Sequence, residues 1–145
     1  MPKLFKEGLF VQDEWADTAV LSLEQWLAAS GADLATVELQ ADQPPTPLLA
    51  QLGKLQLVCV RFGSFMDGRG FSYARELRDG GYTGELRAVG GFIPDQLLYL
   101  RRCGFDSFEV RDEIGIADIH ALLGGIDEYY QASADQPEPL SGRRT

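Results

Sequence analysis

Short runs of β-branched and other apolar residues alternate with longer amphipathic segments over most of the chain. The apolar runs lie at residues 35–39, 55–62, 85–89 and 107–111, and the segments with helical periodicity lie at residues 46–52, 72–78, 95–102 and 116–130. Strands that alternate with helices predict parallel pairing through right-handed crossovers. The pattern therefore predicts an α/β fold with about four repeated βα units and a mainly parallel sheet.

Such a sheet can be built in two ways. One is an open doubly wound sheet, and the other is a half-barrel with all of its helices on one side. Residues 88–110 favour the half-barrel, because glycines follow one strand and a Gly-aromatic-Asp sequence leads into the next. A half-barrel leaves one face of the sheet uncovered, so we expect a homodimer or another protein partner.

The two ends of the chain differ from this repeating pattern. Residues 4–12 (LFKEGLFVQ) place apolar residues on both sides of Lys6-Glu7-Gly8 and predict a short N-terminal hairpin. Ser22 and Gln25 have the spacing of a capping box, which predicts a helix start. Residues 133–145 (SADQPEPLSGRRT) are polar and proline-rich and are predicted to be a disordered tail. Residues 1–132 are thus predicted to form a single α/β domain.

The overall charge narrows the classes of partner. The 145 residues carry a formal net charge of −9, and the pI is near 4.5. Nucleic acids and anionic membrane surfaces are bound through basic surfaces, so neither is an expected partner. No apolar run has the ~20 residues of a membrane span, and the first residues do not resemble a secretory signal. We therefore expect a cytoplasmic protein.

Arginine is concentrated in the middle of the chain. Residues 61–111 contain eight arginines against seven acidic residues, whereas the rest of the chain is strongly acidic. Ligands bind beyond the carboxyl ends of parallel strands, and the predicted strand ends and the loop after residue 62 carry a set of arginines. These candidates for binding a small oxyanion are Arg61, Arg69, Arg87 and Arg111, with the loop residues Gly68 and Gly70 presenting backbone N–H groups at a helix start.

The same arginines have a structural alternative. They can form salt bridges with nearby acidic residues, and the alternation of side chains along a strand works against their convergence. Asp67 and Asp95 are candidates for a general acid and base on the same edge, although capping and the helix dipole also favour acidic residues at both positions.

Other catalytic and cofactor-binding patterns are weak. Cys59 and Cys103 have no C-x-x-C neighbour, so this chain alone is not expected to hold an iron–sulfur cluster or a structural zinc ion. His120 is expected to be structural. Gly68-Arg69-Gly70 fails the dinucleotide-binding pattern at Tyr73, where glycine or alanine is required. We therefore predict no metal site and no bound cofactor.

Two long stretches carry a family resemblance. Residues 63–90 (GSFMDGRGFSYARELRDGGYTGELRAVG) and residues 95–112 (DQLLYLRRCGFDSFEVRD) resemble the bacterial family catalogued as domain of unknown function nine hundred and thirty-four. Members of that family are usually labelled as oxidoreductases involved in sulfite reduction. The resemblance covers most of the chain and is strongest from residue 55 to residue 112.

The resemblance and the arginines together favour one function over two others. They favour an accessory protein of assimilatory sulfite reduction that binds sulfite reductase or its electron donor and holds a small oxyanion at the arginine-rich edge. One alternative is an oxidoreductase that acts on a small sulfur oxyanion with a diffusible cofactor. The other is a structural βα domain that dimerises. Whether the protein is an enzyme stays open at this point.

Overall fold

The computed structural model describes residues 3–29, 34–111 and 114–122. The strands are β1 (Lys3–Lys6), β2 (Leu9–Val11), β3 (Thr36–Leu39), β4 (Leu57–Phe62), β5 (Glu85–Gly90) and β6 (Ser107–Val110). The α-helices are α1 (Leu23–Ala28), α2 (Arg69–Asp79), α3 (Leu97–Cys103) and α4 (Ile116–Leu122), and Thr46–Lys54 and Pro94–Gln96 are 3₁₀ helices. The predicted disordered tail and residues 123–130 of the predicted last helix lie outside the described residues.

All six strands form one mixed sheet, in the order β2-β1-β6-β5-β4-β3. Strands β3 to β6 are parallel, whereas β1 is antiparallel to both β2 and β6. The α/β class is therefore confirmed, but the sheet is not all parallel. A tight turn at Glu7 (φ 55°) and Gly8 (φ 85°) reverses the chain and pairs β2 with β1. The hairpin joins the main sheet because β1 also pairs with β6.

The parallel strands follow one another in chain order, without the reversal that defines a doubly wound sheet. Successive right-handed crossovers in one direction place their helices on one face of the sheet. The count of four βα units is not confirmed, because the first crossover is a 3₁₀ helix with Pro47 in its first turn and a non-helical backbone at Gln51. Proline at such a position fits a helix start, but the kink at Gln51 interrupts a regular α-helix.

The main core lies between the sheet and its helices. Val58, Ala88 and Phe108 of the strands pack there with Leu77 of α2 and Leu100 of α3, and all five are buried. Alternation along the strands sends every second side chain to the opposite face, which we call the helix-free face.

The helix-free face is not bare. Its apolar residues Leu57, Cys59 and Val89 form a second cluster under Trp15 and Val20, which belong to the segment between β2 and α1. The expectation of an uncovered sheet face is therefore wrong, because residues 12–21 of the same chain cross it. A homodimer stays a prediction.

The predicted start of α1 at Ser22 is present in the structure. The Ser22 Oγ accepts a hydrogen bond from the Gln25 N–H at 3.2 Å, and the Gln25 Oε1 accepts one from the Ser22 N–H at 2.9 Å. The predicted capping box is thus confirmed. None of the helices in the described part of the chain is long and apolar enough to cross a bilayer.

Candidate functional site

Arg87 is the most buried of the predicted arginines. It lies in the middle of β5, on the helix-free face, between Cys59 of β4 and Ser107 of β6 in the strand register. Only 3% of Arg87 is exposed. A guanidinium at this depth is stable only when carboxylates or other acceptors satisfy its charge and its N–H groups.

Two carboxylates satisfy Arg87. The Nη1 and Nη2 groups donate to the two oxygens of Asp13, both at 3.0 Å, which is a bidentate pair. The Nε and Nη2 groups also donate to the Glu85 Oε2, at 3.2 and 2.8 Å. Arg87 therefore joins its own strand to the segment that crosses the helix-free face.

Glu85 is the second centre of this network. Its Oε2 also accepts a hydrogen bond from the Ser107 Oγ at 2.7 Å, and its Oε1 lies 3.4 Å from the Lys6 Nζ. Burial would raise the pKa of Glu85, but the hydrogen bonds from Arg87 and Ser107 outweigh burial and hold that pKa below its ordinary value. The Glu85 side chain, of which only 10% is exposed, is therefore ionised at neutral pH.

Asp13 has a similar balance. Burial acts to raise its pKa, whereas the hydrogen bonds from Arg87 and from the Trp15 N–H, the latter at 2.8 Å, lower the pKa overall. We call Arg87, Asp13, Glu85, Lys6 and Ser107 the Arg87 network. Without Asp13 its formal charge is +1, and the Asp13 carboxylate makes it neutral.

Two clefts flank the Arg87–Asp13 pair. The first has a volume of about 200 Å³ and is lined in part by Lys6, Glu85 and Arg87. The second has a volume of about 330 Å³ and is lined in part by Lys3, Asp13 and Glu109. Both share Leu4, Val11 and Gln12 as lining residues. The ion pair therefore lies where the two clefts adjoin.

Arg61 shares the helix-free face with Arg87 but has its own partner. Its Nε donates to the Glu38 Oε2 at 2.6 Å, and this hydrogen bond is the main reason that the pKa of Arg61 is raised. Glu109 lies on the same face, where burial raises its pKa. Among the described residues of this face, the pair of Arg61 with Glu38 is thus separate from the pairs that Arg87 makes with Asp13 and Glu85.

Arg69 lies elsewhere, at the start of α2. The Asp67 carboxylate accepts from the Arg69 backbone N–H at 3.1 Å and from its Nε and Nη2 at 3.1 and 2.9 Å. The hydrogen bonds from Arg69 lower the pKa of Asp67. A carboxylate of the chain itself therefore occupies the helix start at which an oxyanion was expected.

The loop glycines and the remaining candidates have different surroundings. Gly68 is the N-cap of α2, whereas a Cβ on Gly70 would lie 2.6 Å from the Phe62 ring, so close packing explains Gly70. Asp95 is exposed in the 3₁₀ helix Pro94–Gln96, and Arg111 is exposed directly after β6.

The structure therefore brings Arg61 and Arg87 to one face of the sheet and places Arg69 with Asp67 at the start of α2. Oxyanion binding by any of them, and acid–base roles for Asp67 and Asp95, stay predictions. Sequence reasoning missed Asp13, Lys6 and Ser107. Lys6 and Asp13 lie in the N-terminal part of the chain, and only the tertiary pairing of β1 with β6 brings that part to β5.

An exposed apolar pair follows β4. Phe65 is 50% exposed and Met66 is 82% exposed, in the loop 63–68 at the carboxyl edge of the parallel strands. Neighbouring groups hold the loop, since the Gln96 Nε2 donates to the Phe65 carbonyl at 2.8 Å and the Met66 N–H donates to the Ser64 Oγ at 3.3 Å. The pair is thus presented on a supported loop.

The surroundings of Cys59, Cys103 and His120 fit structural roles for these residues. Cys59 and Cys103 are both buried, and burial raises the pKa of the Cys59 thiol to about 12. The His120 Nε2 lies 2.8 Å from the Gly8 carbonyl oxygen, and its ring packs against Phe5. Within the described ranges, no group of three or more His, Cys, Asp or Glu side chains is arranged to hold a metal ion.

Comparison with known proteins gives one family match. The model of the family described as "Bacterial protein of unknown function (DUF934)" matches residues 36–141, from the start of β3 onward. Comparisons with curated proteins and with solved structures gave no match. The matched range contains Arg61, Arg69, Arg87 and Arg111 and excludes Lys6 and Asp13.

Proposed function

Since the chain belongs to the bacterial family of unknown function DUF934, which the sequence resemblance links to sulfite reduction, we propose that it is an accessory protein of assimilatory sulfite reduction. In this proposal it binds sulfite reductase or the reductase's electron donor through the loop 63–68. The observation that carries the proposal is the exposed pair Phe65 and Met66 at the carboxyl edge of the sheet.

The chemistry of the loop suits a protein partner. Aromatic residues and methionine are enriched in the buried centres of protein interfaces. Methionine adapts its shape to a partner surface. Phenylalanine has only two side-chain torsions, so fixing it on binding costs little conformational freedom. The hydrogen bond from Gln96 to the Phe65 carbonyl further reduces the ordering cost, because it holds the loop before binding.

The charge of the chain predicts the charge of the partner's surface. The chain has a formal net charge of −9, and Asp42 and Asp95 are exposed in the loops that follow β3 and β5 on the same edge. Electrostatic complementarity speeds the encounter of oppositely charged surfaces. The net charge of the chain therefore favours a partner with a basic surface, and Phe65 and Met66 favour an apolar pocket on that partner.

A direct binding measurement tests the proposal. Purified sulfite reductase and its purified electron donor are each titrated with the wild-type chain and with the double variant Phe65→Ser/Met66→Ser. We expect binding by one of the two proteins and at least a tenfold loss of affinity in the double variant, which corresponds to about 1.4 kcal/mol. The control is Leu27→Ser, because Leu27 is an exposed apolar residue (57%) that belongs to α1 and not to the loop.

Two results would count against the proposal. The first is that neither protein binds the wild-type chain at micromolar concentrations. The second is that Phe65→Ser/Met66→Ser and Leu27→Ser bind equally well, which would remove the loop from the interface even if binding occurs.

A further inference from the structure

We infer that the Arg87 network is a binding site for a small oxyanion and that the Asp13 carboxylate is its built-in competitor. The site lies on the helix-free face, not at the start of α2, and it does not depend on the loop 63–68. Only the choice of sulfite as a probe rests on the proposed function.

The geometry of the Arg87–Asp13 pair is the first support. Both oxygens of Asp13 accept from the two Nη groups of Arg87 at 3.0 Å. Sulfite, sulfate and phosphate present two oxygens to a guanidinium in the same bidentate manner. The Asp13 carboxylate thus occupies the position that an oxyanion would take on Arg87.

The charge of the site is the second support. Lys6 and Arg87 carry two positive charges, Glu85 carries one negative charge, and Asp13 supplies the charge that balances them. If Asp13 moves away, a buried guanidinium is left with an excess positive charge, which is costly unless another anion replaces the carboxylate. The Ser107 Oγ and the Lys6 Nζ hold Glu85, so Glu85 stays in place.

Access to the site is the third support. Arg87 lines the cleft of about 200 Å³, which is below the size of pockets for drug-like ligands and suits a ligand of a few heavy atoms. Asp13 belongs to the irregular segment between β2 and α1, and its side chain is 32% exposed. Asp13 can therefore leave Arg87 by a local movement, without breaking the sheet.

Competition between the Asp13 carboxylate and an oxyanion for Arg87 determines the expected affinity for the oxyanion. An oxyanion binds only the fraction of molecules in which Asp13 is released, so the apparent dissociation constant is the intrinsic constant divided by that fraction. Removing the Asp13 carboxylate removes this penalty. We expect Asp13→Ala to bind sulfite or sulfate at least tenfold more tightly than the wild-type chain.

The experiment uses the purified full chain and calorimetric titration with sodium sulfite, sulfate and phosphate at constant ionic strength. The matched control is Glu38→Ala, which makes the same change in charge but removes the carboxylate partner of Arg61, whose side chain is 44% exposed. We expect the tenfold gain in Asp13→Ala, no such gain in Glu38→Ala, and loss of the gain in Asp13→Ala/Arg87→Gln.

A second readout follows Asp13 in the wild-type chain. The backbone N–H of Trp15 donates to Asp13, and the Trp15 side chain packs on the helix-free face. Release of Asp13 should therefore change the surroundings of the Trp15 ring and its fluorescence emission, whereas Trp26 is buried in the core. Saturating sulfite should shift the emission of the wild-type chain and leave that of Trp15→Phe unchanged. If Asp13→Ala does not fold, Asp13→Asn is compared in its place.

The inference is overturned if none of the three anions binds the Asp13 variant more tightly than the wild-type chain. It is also overturned if Glu38→Ala gains as much affinity as the Asp13 variant, or if the gain survives in Asp13→Ala/Arg87→Gln. These titrations contain no protein partner, so their failure leaves the proposed interaction of the loop 63–68 untouched.

Discussion

Replacing Gly70 with alanine separates two roles that its sequence context allows, ligand contact and close packing. An alanine Cβ at this position would lie 2.6 Å from both Cε2 and Cζ of Phe62 and 3.2 Å from Cδ2. Phe62 is buried, and its ring centroid lies 5.3, 6.2 and 5.8 Å from those of Phe71, Phe92 and Phe105. The Phe62 ring therefore has little room to move away.

Two opposing effects determine how much Gly70→Ala changes the free energy of unfolding. Alanine in place of glycine in a helix stabilises by up to about 1 kcal/mol. Forcing an extra methyl group into a packed core costs about 1–3 kcal/mol. Because three aromatic rings confine Phe62, we expect the second effect to win and Gly70→Ala to lower the free energy of unfolding by about 1–2 kcal/mol.

Urea unfolding followed by circular dichroism measures this loss. The control is Gly53→Ala, because no atom lies within 4 Å of a Cβ added at Gly53, and it should leave stability unchanged or slightly raised. Phe62→Leu removes the ring atoms that meet the new methyl group. The double variant Gly70→Ala/Phe62→Leu should therefore be more stable than the sum of the two single losses by about 1 kcal/mol.

A stabilised Gly70→Ala would refute the reasoning, since it would mean that the Phe62 ring yields without cost. Strictly additive losses in the double variant would also refute it, because the two side chains would then not share one space.

Three further outcomes are expected. Arg87→Met should lower the free energy of unfolding by about 3 kcal/mol or more, because it removes the buried guanidinium that pairs with Asp13 and Glu85. Arg61→Met should lower it by less than about 1 kcal/mol, because the pair of Arg61 with Glu38 is more exposed. Equal losses in urea titrations would contradict this difference. The pKa of Asp13 lies below its ordinary value of 3.8, so its contribution to stability is complete above that pH and is lost as the pH falls through the lower, folded-state value. The stability difference between wild type and Asp13→Asn should thus be largest near neutral pH and shrink below about pH 4, and a difference that does not change with pH would be the opposing result. The thiols of Cys59 and Cys103 are buried, so Ellman's reagent should react slowly with the native chain and quickly with both thiols in urea. Fast reaction without urea would show that at least one of the two thiols is accessible.

Local features of this protein could be read from neighbouring residues. The capping box at Ser22 and Gln25 depends on groups three residues apart, and the turn at Glu7 and Gly8 depends on the backbone freedom of glycine. The strand and helix alternation from residue 35 onward was also visible, because each element needs its own hydrophobic period. These predictions needed no knowledge of which elements meet.

The partners of the arginines could not be read in this way. Arg87 and Asp13 are 74 positions apart, and their contact exists only because β1 pairs with β6 and residues 12–21 then cross the helix-free face. Likewise, the sequence made Gly70 a candidate for presenting a backbone N–H group to an oxyanion, and only the position of the Phe62 ring identifies it as a packing glycine.

By itself, the sequence determined the α/β class, the positions of most strands and helices and the concentration of arginine between residues 61 and 111. The tertiary structure alone decided that Arg61 and Arg87 share a face, that Arg69 does not belong to their network, and that Asp13 balances the charge of Arg87. The physical reason is that hydrophobic periodicity and capping act over a few residues, whereas a buried charge selects its partner from whatever the fold brings within hydrogen-bonding distance.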